Sequence, residues 1–554
     1  MKNITEKEKI NKPQYGGTMN LRIDSDIMAF DPIEASFNYT IMSAWFECLH
    51  TGDWPLGPEP FDHKYGHRND TNAQLAESWE FTEPGNYVVH LRKGVRWQDI
   101  PPVNGRELTA DDIAYHYHRM YGLGHGFTQR TPGAHYQFTP LESVTVIDKY
   151  TVAFKWKIPN EEVIRDAMQA VGTLASIEAR EAVEKWGDVK DWRHAIGTGP
   201  FILQDFVHND SATMVRNPKY WGHDEQNSKN QLPYINTLKI HIIPEKAAAI
   251  EALRAGKIDA LDELLPSQAE EIRKTNPELL QVTYPAPDAL TLDPRNDRPP
   301  FNDIRVRKAM QMAIDLPTIC HTYYHDTCRP YPSTTTSYYM KGWGFPYEEW
   351  PQALKDEYAY NPTMSKQLLA EAGYPNGIKT NIVANATGDQ AILKIVQSYL
   401  AQVGIEMEIR TMAAADYTLF INAHKHDQLV YNGRIGKLGA IGSNPVNFLS
   451  RFGPGNYMGI NDAVYRAFHP KAWEVSSFEE IKKLLRDCNE HVARQHYLIS
   501  LLQPMEYALY QPWFHGYTGQ FDSISSAAGP HRLFYYAARF WIDEKMKKSM
   551  GHRE

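Results

Sequence analysis

The chain has 554 residues, which is too long for one ordinary hydrophobic core and predicts two or three domains. The net charge is −9 and Lys and Arg are scattered along the chain, which argues against a nucleic acid as partner. The sequence contains no uncharged apolar run of roughly 18 residues or more, so we expect no membrane-spanning segment in it.

The first residues lack the pattern of a folded segment. Residues 1–14 are charged and show no apolar periodicity, which predicts a disordered tail. The same stretch has no apolar core of a signal peptide, so we expect either a cytoplasmic protein or a mature form with a starting Met. The stretch "TMNLRI" then alternates like a strand, and Asp31-Pro32 ends that pattern.

An irregular stretch separates this strand from the next elements. Residues 50–70 are rich in Gly, Pro, Asp and His without helical or strand period, which is typical of a functional or mobile loop. The stretch "LTADDIAYHYHRMY" predicts a helix with Thr109 as N-cap. Residues 144–156 predict a hairpin that turns at Asp148-Lys149.

The stretch "GTGP" at residues 197–200 raises the question of phosphate binding. A Walker loop needs GxxxxGK[ST], and a dinucleotide fingerprint needs GxGxxG at the start of a helix. Neither continuation is present, so we interpret the stretch as a turn that leads into a strand.

Two segments follow a strand-helix-strand pattern. In the first, a strand in residues 235–240 is followed by a helix from Pro244 to a C-cap at Gly256 and by a second strand that ends at residue 261. The second consists of residues 381–385, a helix over 389–404 and a strand over 405–412. Such units build mostly parallel sheets covered by helices, so the sequence predicts an α/β fold.

The four cysteines are too few for a disulfide scaffold and lack the CxxC spacing of a zinc site. Cys320 and Cys328 are close in sequence, and whether they form a disulfide stays open. No HExxH frame accompanies the histidines and no GxSxG nucleophile elbow occurs, so a hydrolase or a metal-dependent enzyme is the weaker alternative.

Nine short motifs, in this order, resemble those of the family 5 extracellular solute-binding proteins of ABC importers, the class that takes up oligopeptides, dipeptides and nickel. They are "LAESWEF" (75–81), "YVVHLRKGVRWQD" (87–99), "LTADDIAY" (108–115), "GTGPFILQDF" (197–206), "VRNPKYWG" (215–222), "AIEALRAGKIDAL" (249–261), "PPFNDIRVRKAMQMAID" (299–315), "LLAEAGYPNG" (368–377) and "LAQVGIEMEIR" (400–410).

The resemblance implies a bilobed α/β fold of the periplasmic-binding-protein type, often compared to a Venus flytrap, with an extra domain inserted in the first lobe. Lobe one is expected to be discontinuous and lobe two to follow it. The expected bounds are 15–50, 190–285 and 505–554 for lobe one, 51–189 for the inserted domain and 286–504 for lobe two.

The resemblance also places much of the ligand site after a strand of lobe two, here in residues 427–452. Peptide binders of this family often carry an Asp in that loop, which pairs with the α-ammonium of the peptide. This sequence has no acidic residue between Asp427 and Asp462 and has Arg434 there instead. We therefore predict Arg434 as a donor to an anionic group of the ligand, beside Tyr431 and Asn432.

Further ligand contacts are predicted from position. Asn38 and Tyr39 follow the first strand, and Trp54 lies in the Gly- and Pro-rich stretch. Trp513 and Phe514 either line the cleft or are ordinary core aromatics, and the sequence leaves both alternatives open.

We therefore expect a non-enzymatic receptor outside the cytoplasm, associated with the membrane only through an ABC permease or a lipid anchor. It is expected to be a monomer without cofactor or metal, and to bind a peptide or peptide-like solute. An oligosaccharide or another organic, anionic solute is the alternative ligand, and uptake of a metal complex is a further one.

Overall fold

The computed structural model describes most of the chain. Described are residues 12–33, 40–51, 72–131, 140–161, 164, 168, 175–286, 289–332, 344–386, 388–432, 456–519, 524–526 and 536–552. Of the predicted tail, residues 1–11 lie outside this set.

The strands of the described residues, in chain order, are β1 (Thr18–Ile23), β2 (His50–Thr51), β3 (Asn72–Ala73), β4 (Ala76–Glu83), β5 (Asn86–Leu91), β6 (Leu141–Asp148), β7 (Thr151–Trp156), β8 (Phe201–Val207), β9 (Ser211–Arg216), β10 (Thr237–Ile242), β11 (Ala260–Leu264), β12 (Leu280–Pro285), β13 (Thr291–Pro294), β14 (Cys328–Arg329), β15 (Ile378–Asn385), β16 (Ile405–Met412), β17 (Leu429–Asn432), β18 (Ile499–Ser500), β19 (Gln503–Tyr510), β20 (Phe514–His515), β21 (Ser525–Ser526) and β22 (Trp541–Ile542).

The α-helices in the same ranges are α1 (Ala110–Tyr121), α2 (Arg180–Trp186), α3 (Lys246–Arg254), α4 (Pro266–Thr275), α5 (Ile304–Met312), α6 (Leu316–Thr322), α7 (Gln352–Tyr358), α8 (Pro362–Glu371), α9 (Gln390–Gln402), α10 (Ala414–Asn422), α11 (Ala463–Arg466), α12 (Phe468–Glu474), α13 (Phe478–Gln495) and α14 (Glu544–Ser549). None of these described helices combines the length and the apolarity that a membrane span requires.

The first sheet has the order β21-β1-β10-β9-β8, in which β1 and β10 are parallel and β10, β9 and β8 are antiparallel neighbours. The "GTGP" turn leads into β8, as predicted. A Cβ on Gly197 would lie 1.8 Å from the carbonyl oxygen of Trp45, and one on Gly199 would lie 2.8 Å from the carbonyl carbon of Trp45. The two glycines therefore allow close packing of two backbones.

The second sheet has the order β11-β19-β12, and the third has the order β16-β15-β17-β13-β18. The predicted unit over residues 381–412 is confirmed, because β15 and β16 are parallel neighbours joined by α9. The prediction that the segment around α3 forms one β-α-β unit is wrong. β10 lies in the first sheet, whereas β11 pairs antiparallel with β19 of the second, a partner distant in sequence that a local pattern does not reveal.

A four-stranded antiparallel sheet, β4-β5-β7-β6, lies between β1 and β10 in sequence and packs against α1. The predicted helix is confirmed, with Thr109 as N-cap and Asp112 completing a capping box. The hairpin of β6 and β7 is confirmed as well. Its turn lies one residue later than predicted, at Lys149-Tyr150, because Asp148 still pairs with Thr151.

The chain passes between the second and third sheets along two antiparallel connections, from β12 to β13 and from β18 to β19. They are hydrogen bonded to each other, since the amide of Leu290 donates to Leu502 at 3.0 Å and that of Leu501 donates to Leu290 at 2.8 Å. The short strand β14 pairs with β19 beside them, with Cys328 opposite Pro504. A disulfide bond joins Cys328 to Cys320 of α6.

The buried carboxylate of Asp259 joins the first sheet to the second. Its Oδ2 accepts the amide of Asn20 in β1 at 2.6 Å, and its backbone amide donates to the carbonyl of Asn20 at 2.7 Å. Its Oδ1 accepts Nε1 of Trp513 at 2.7 Å and lies 3.5 Å from Nζ of Lys547 in α14. Burial raises the pKa of this carboxyl, an effect that Lys547 opposes.

A second buried network joins α1 to the segment that follows β1. The guanidinium of Arg119 donates to both carboxylate oxygens of Asp31, at 3.0 and 2.6 Å, and to Glu178 at 2.9 Å. Glu178 also contacts Nδ1 of His116 at 2.5 Å. Burial opposes the ionisation of Glu178, but the charges of His116 and Arg119 outweigh it and lower the pKa of Glu178 to about 2.

The predicted domain bounds stay a prediction.

The buried network around Arg119 gives a testable expectation. Arg119→Met leaves the buried carboxylate of Asp31 without its cation and removes one of the two cationic partners of Glu178, so we expect the free energy of unfolding to fall by about 3–5 kcal/mol. Arg193→Met is the control, because Arg193 forms an exposed ion pair with Asp191 and such pairs contribute about 0–1 kcal/mol. Urea unfolding followed by tryptophan fluorescence measures both, and equal losses would contradict the expectation.

Candidate functional site

Several strands of the third sheet end along one side, which we call the carboxyl edge. Asn385 ends β15 opposite Met412 of β16, and Asn432 ends the parallel strand β17. Thr291, the first residue of the antiparallel strand β13, lies opposite Asn432. Ligands of open α/β sheets bind outside the carboxyl ends of the strands, so this edge is the candidate site.

Two predicted contact residues end β17 at the carboxyl edge. The side chain of Tyr431 is buried among the apolar residues of the third sheet, and its carbonyl oxygen accepts the hydroxyl of Tyr417 in α10 at 3.0 Å. Asn432 is the last residue of the strand and pairs with Thr291. The chain continues from Asn432 toward Arg434, which lies outside the described residues.

Three further predicted contacts also lie outside the described residues, namely Asn38, Tyr39 and Trp54. Their roles stay predictions. Asp31, which precedes Asn38 and Tyr39 in the chain, forms a buried ion pair with Arg119.

Trp513 and Phe514 are buried in the core. The indole of Trp513 donates to Asp259, and the ring of Phe514 packs against Tyr510 and Phe540. This placement matches the alternative of core aromatics that the sequence left open. A ligand contact for either side chain stays an untested prediction.

The start of α9 at the carboxyl edge carries a polar cluster that the sequence analysis did not single out. Asp389 is the N-cap of α9 and accepts the amides of Ala391 and Ile392. It also accepts the hydroxyls of Tyr323 at 2.8 Å and of Tyr324 at 3.1 Å. The N-cap was detectable from the sequence, whereas the approach of the two tyrosines depends on tertiary packing. Because the carboxylate of Asp389 already accepts two of the amides at this end of α9, fewer amides remain there for an anion.

A buried glutamate, Glu47, lies beside the "GTGP" turn. Glu47 accepts Nε1 of Trp221 at 3.0 Å and the hydroxyl of Tyr220 at 3.1 Å. Burial raises the pKa of Glu47 to about 7, although these hydrogen bonds and the charge of Arg92 act in the opposite direction. The contacts join the "NPKYWG" stretch to the segment that precedes β2.

Besides the connections from β12 to β13 and from β18 to β19, a further contact joins two distant parts of the chain. It links the segment that follows the four-stranded sheet to the helices after residue 460. The side-chain amide of Asn160 donates to the carbonyl oxygen of Ala472 in α12 at 2.7 Å, and both residues are buried. The amide of Glu161 donates to Ser476 at 3.4 Å. These two parts of the chain are therefore packed together in this conformation.

No three His, Cys, Asp or Glu side chains in the part of the chain that the structure describes come together as ligands of one metal ion. Burial and then the charge of Arg295 lower the pKa of His426 to about 4, so this side chain is neutral at physiological pH.

Comparisons with known proteins give the family and the fold of the chain. The family model described as bacterial extracellular solute-binding proteins, family 5 Middle, matches residues 70–459. Heme-binding protein A of Haemophilus influenzae is 26% identical over 479 residues, which cover 81% of this chain and 82% of the relative. The dipeptide-binding protein of Escherichia coli is 25% identical over 392 residues, covering 68% and 69%.

Among solved structures, the periplasmic binding protein DppA of Helicobacter pylori in complex with the peptide STSA matches with a TM-score of 0.69 at 21% identity. The match covers 96% of this chain and 99% of that chain. This likeness confirms the predicted fold class, a bilobed α/β fold of the periplasmic-binding-protein type.

The raised pKa of Glu47 predicts an unusual dependence of stability on pH. Folding raises this pKa from 4.5 to about 7, so the folded state keeps a proton that the unfolded chain has released. The retained proton of Glu47 therefore contributes to the free energy of unfolding. This contribution is fully present below pH 4.5 and is lost as the pH rises through about 7.

Glu47→Gln removes this ionisation. Between pH 5 and pH 8 we expect the free energy of unfolding of the variant to rise relative to that of the wild type, by up to about 3 kcal/mol. Glu77→Gln, a change of an exposed glutamate in β4, is the control and should show no such trend. Urea unfolding at each pH measures the difference, and a difference that is constant with pH would overturn the expectation.

Proposed function

Because the chain belongs to the bacterial extracellular solute-binding proteins of family 5, we propose that it captures a solute between its two lobes outside the cytoplasm and delivers it to an ABC permease. The observation that carries this proposal is the family match over residues 70–459. The connections from β12 to β13 and from β18 to β19 support it, because two paired strands between sheets are suited to hinge motion.

A peptide or peptide-like molecule is the proposed solute. The relative from Escherichia coli is named for dipeptides and the solved neighbour holds the peptide STSA, whereas the relative from Haemophilus influenzae is named for heme. All three names are compatible with a cleft that binds a medium-sized molecule carrying carboxylate groups. We expect the protein to act as a monomer, and its link to the membrane to be the permease or a lipid anchor.

The charge pattern at the carboxyl edge supports a specific mode of recognition. The sequence from residue 428 to 461 contains no acid, and Asp389 already accepts two amides and two tyrosine hydroxyls. A free α-ammonium buried without a carboxylate would cost several kcal/mol. We therefore expect the ligand to be anchored by an anionic group that Arg434 binds, and its amino end to be blocked or exposed to water.

Binding without turnover is the first expectation. Thermal-shift and calorimetric titrations with dipeptides, tripeptides, oligosaccharides and heme should give a saturable response with one of these classes of compound. Mass spectrometry should then recover the bound compound unchanged. A ligand present at 100 times its Kd stabilises the folded state by about 2.7 kcal/mol. Conversion of any of these compounds by the purified protein would contradict a receptor role.

The role of Arg434 gives a sharper test. Arg434→Gln should weaken binding of a peptide by about 10- to 100-fold, because a hydrogen-bonded charge is lost from the site. Amidation of the carboxyl end of the peptide should have the same effect, whereas acetylation of its amino end should change affinity little. Arg298→Gln is the matched control, since Arg298 is half exposed beside Asp427. If acetylation abolishes binding while Arg434→Gln does not, the site recognises the ammonium and the proposed mode is wrong.

A further inference from the structure

Two histidines of the segment between β5 and β6 face each other at the surface. His118 lies in the last turn of α1, and His125 lies in the loop that follows. Their Nδ1 atoms are 2.9 Å apart, and their ring centroids are 5.0 Å apart. His118 is half-buried and His125 is exposed, so the pair is open to solvent on one side.

The backbone of the loop brings His125 into this position. His125 has a φ of 53°, in the left-handed region that is uncommon outside Gly and in which Asn, Asp and His are enriched. Gly126 follows with a φ of 83°, and the amide of Phe127 donates to Gly124 at 2.9 Å, which closes a tight turn. A Cβ on Gly124 would lie 2.8 Å from Nδ1 of His118. Because residue 124 is Gly, no side chain at this position crowds the facing nitrogen.

The second nitrogen of His118 determines which tautomer is present. Its Nε2 lies 3.3 Å from the carbonyl oxygen of Val144 in β6, a group that only accepts hydrogen bonds. Nε2 therefore carries the proton in the neutral ring, and Nδ1 presents its lone pair to His125. Histidines that ligate metals are held in the same way, since their other ring N–H donates to a carbonyl or carboxylate.

A third ring lies against the pair. The ring of Tyr115 packs against His125 on another side, with centroids 5.2 Å apart.

We propose that His118 and His125 form a two-histidine site for a divalent late transition metal ion such as Zn²⁺ or Cu²⁺. With metal–nitrogen distances of about 2.0–2.1 Å, two nitrogens at the observed separation subtend an angle of roughly 90° at the ion. Water completes the coordination, because His125 is open to solvent. The site lies on α1 and the loop after it, beside β6, on other elements than those of the carboxyl edge, and does not depend on the proposed solute.

The composition of the site predicts its selectivity. Two imidazoles favour Cu²⁺ over Zn²⁺, following the general order of stability of such complexes. Ca²⁺ and Mg²⁺ prefer oxygen ligands and should not compete. With only two protein ligands, the affinity should be far below that of a structural zinc site with four.

The test is isothermal titration of the full, tag-free chain with Zn²⁺ and Cu²⁺. We expect one equivalent to bind, and Cu²⁺ to show the electron paramagnetic resonance signature of imidazole nitrogens. His125→Asn should weaken this binding by at least about tenfold, and Asn tolerates the left-handed backbone at this position. His118→Gln should have the same effect, and circular dichroism reports whether each variant is folded.

His223→Gln is the matched control, because His223 is also exposed and bonds the carbonyl of Trp221. It should leave the isotherm unchanged. If His125→Asn binds both ions like the wild type, they occupy another site and the proposal is wrong. If the wild type binds neither ion, the two rings form only a hydrogen bond from His125 to His118, and the proposal fails as well.

Discussion

One buried carboxylate, that of Asp259, holds together parts of the chain that are distant in sequence. It bonds Asn20 of β1 through its side chain and its backbone, accepts the indole of Trp513 and lies beside Lys547. A buried carboxylate without such partners would cost several kcal/mol, so the first sheet, the second sheet and the C-terminal segment come together as one frame. The connections from β12 to β13 and from β18 to β19 link this frame to the third sheet, which carries the carboxyl edge.

The candidate site is built from rigid strand ends and from the loops that leave them. β15, β16 and β17 end at the carboxyl edge, and Asp389 with its two tyrosines holds the neighbouring start of α9. Binding residues on loops positioned by a rigid scaffold are common, because loops tolerate changes of sequence that strands do not. The family can therefore accept different solutes on one fold.

Local patterns predicted much of the secondary structure. The helix capped by Thr109 and the unit of β15, α9 and β16 follow from capping and periodicity, which act over a few residues. The pairing of β11 with β19 was not predictable in this way, since the two strands lie more than two hundred residues apart. In the site, Tyr431 and Asn432 end β17 and their ligand contacts stay predictions, whereas the tyrosines around Asp389 carry no local signal.

The sequence was sufficient for the fold class and the family, because nine short motifs in a fixed order reflect turns, caps and strand ends that neighbouring residues specify. Only the tertiary structure decided which polar groups meet in the interior or at the surface. It placed Trp513 on Asp259, brought Glu47 under Trp221 and set His118 against His125. The physical reason is that burial, pKa and metal-binding geometry depend on distances between side chains, and these distances exist only after separate segments have packed.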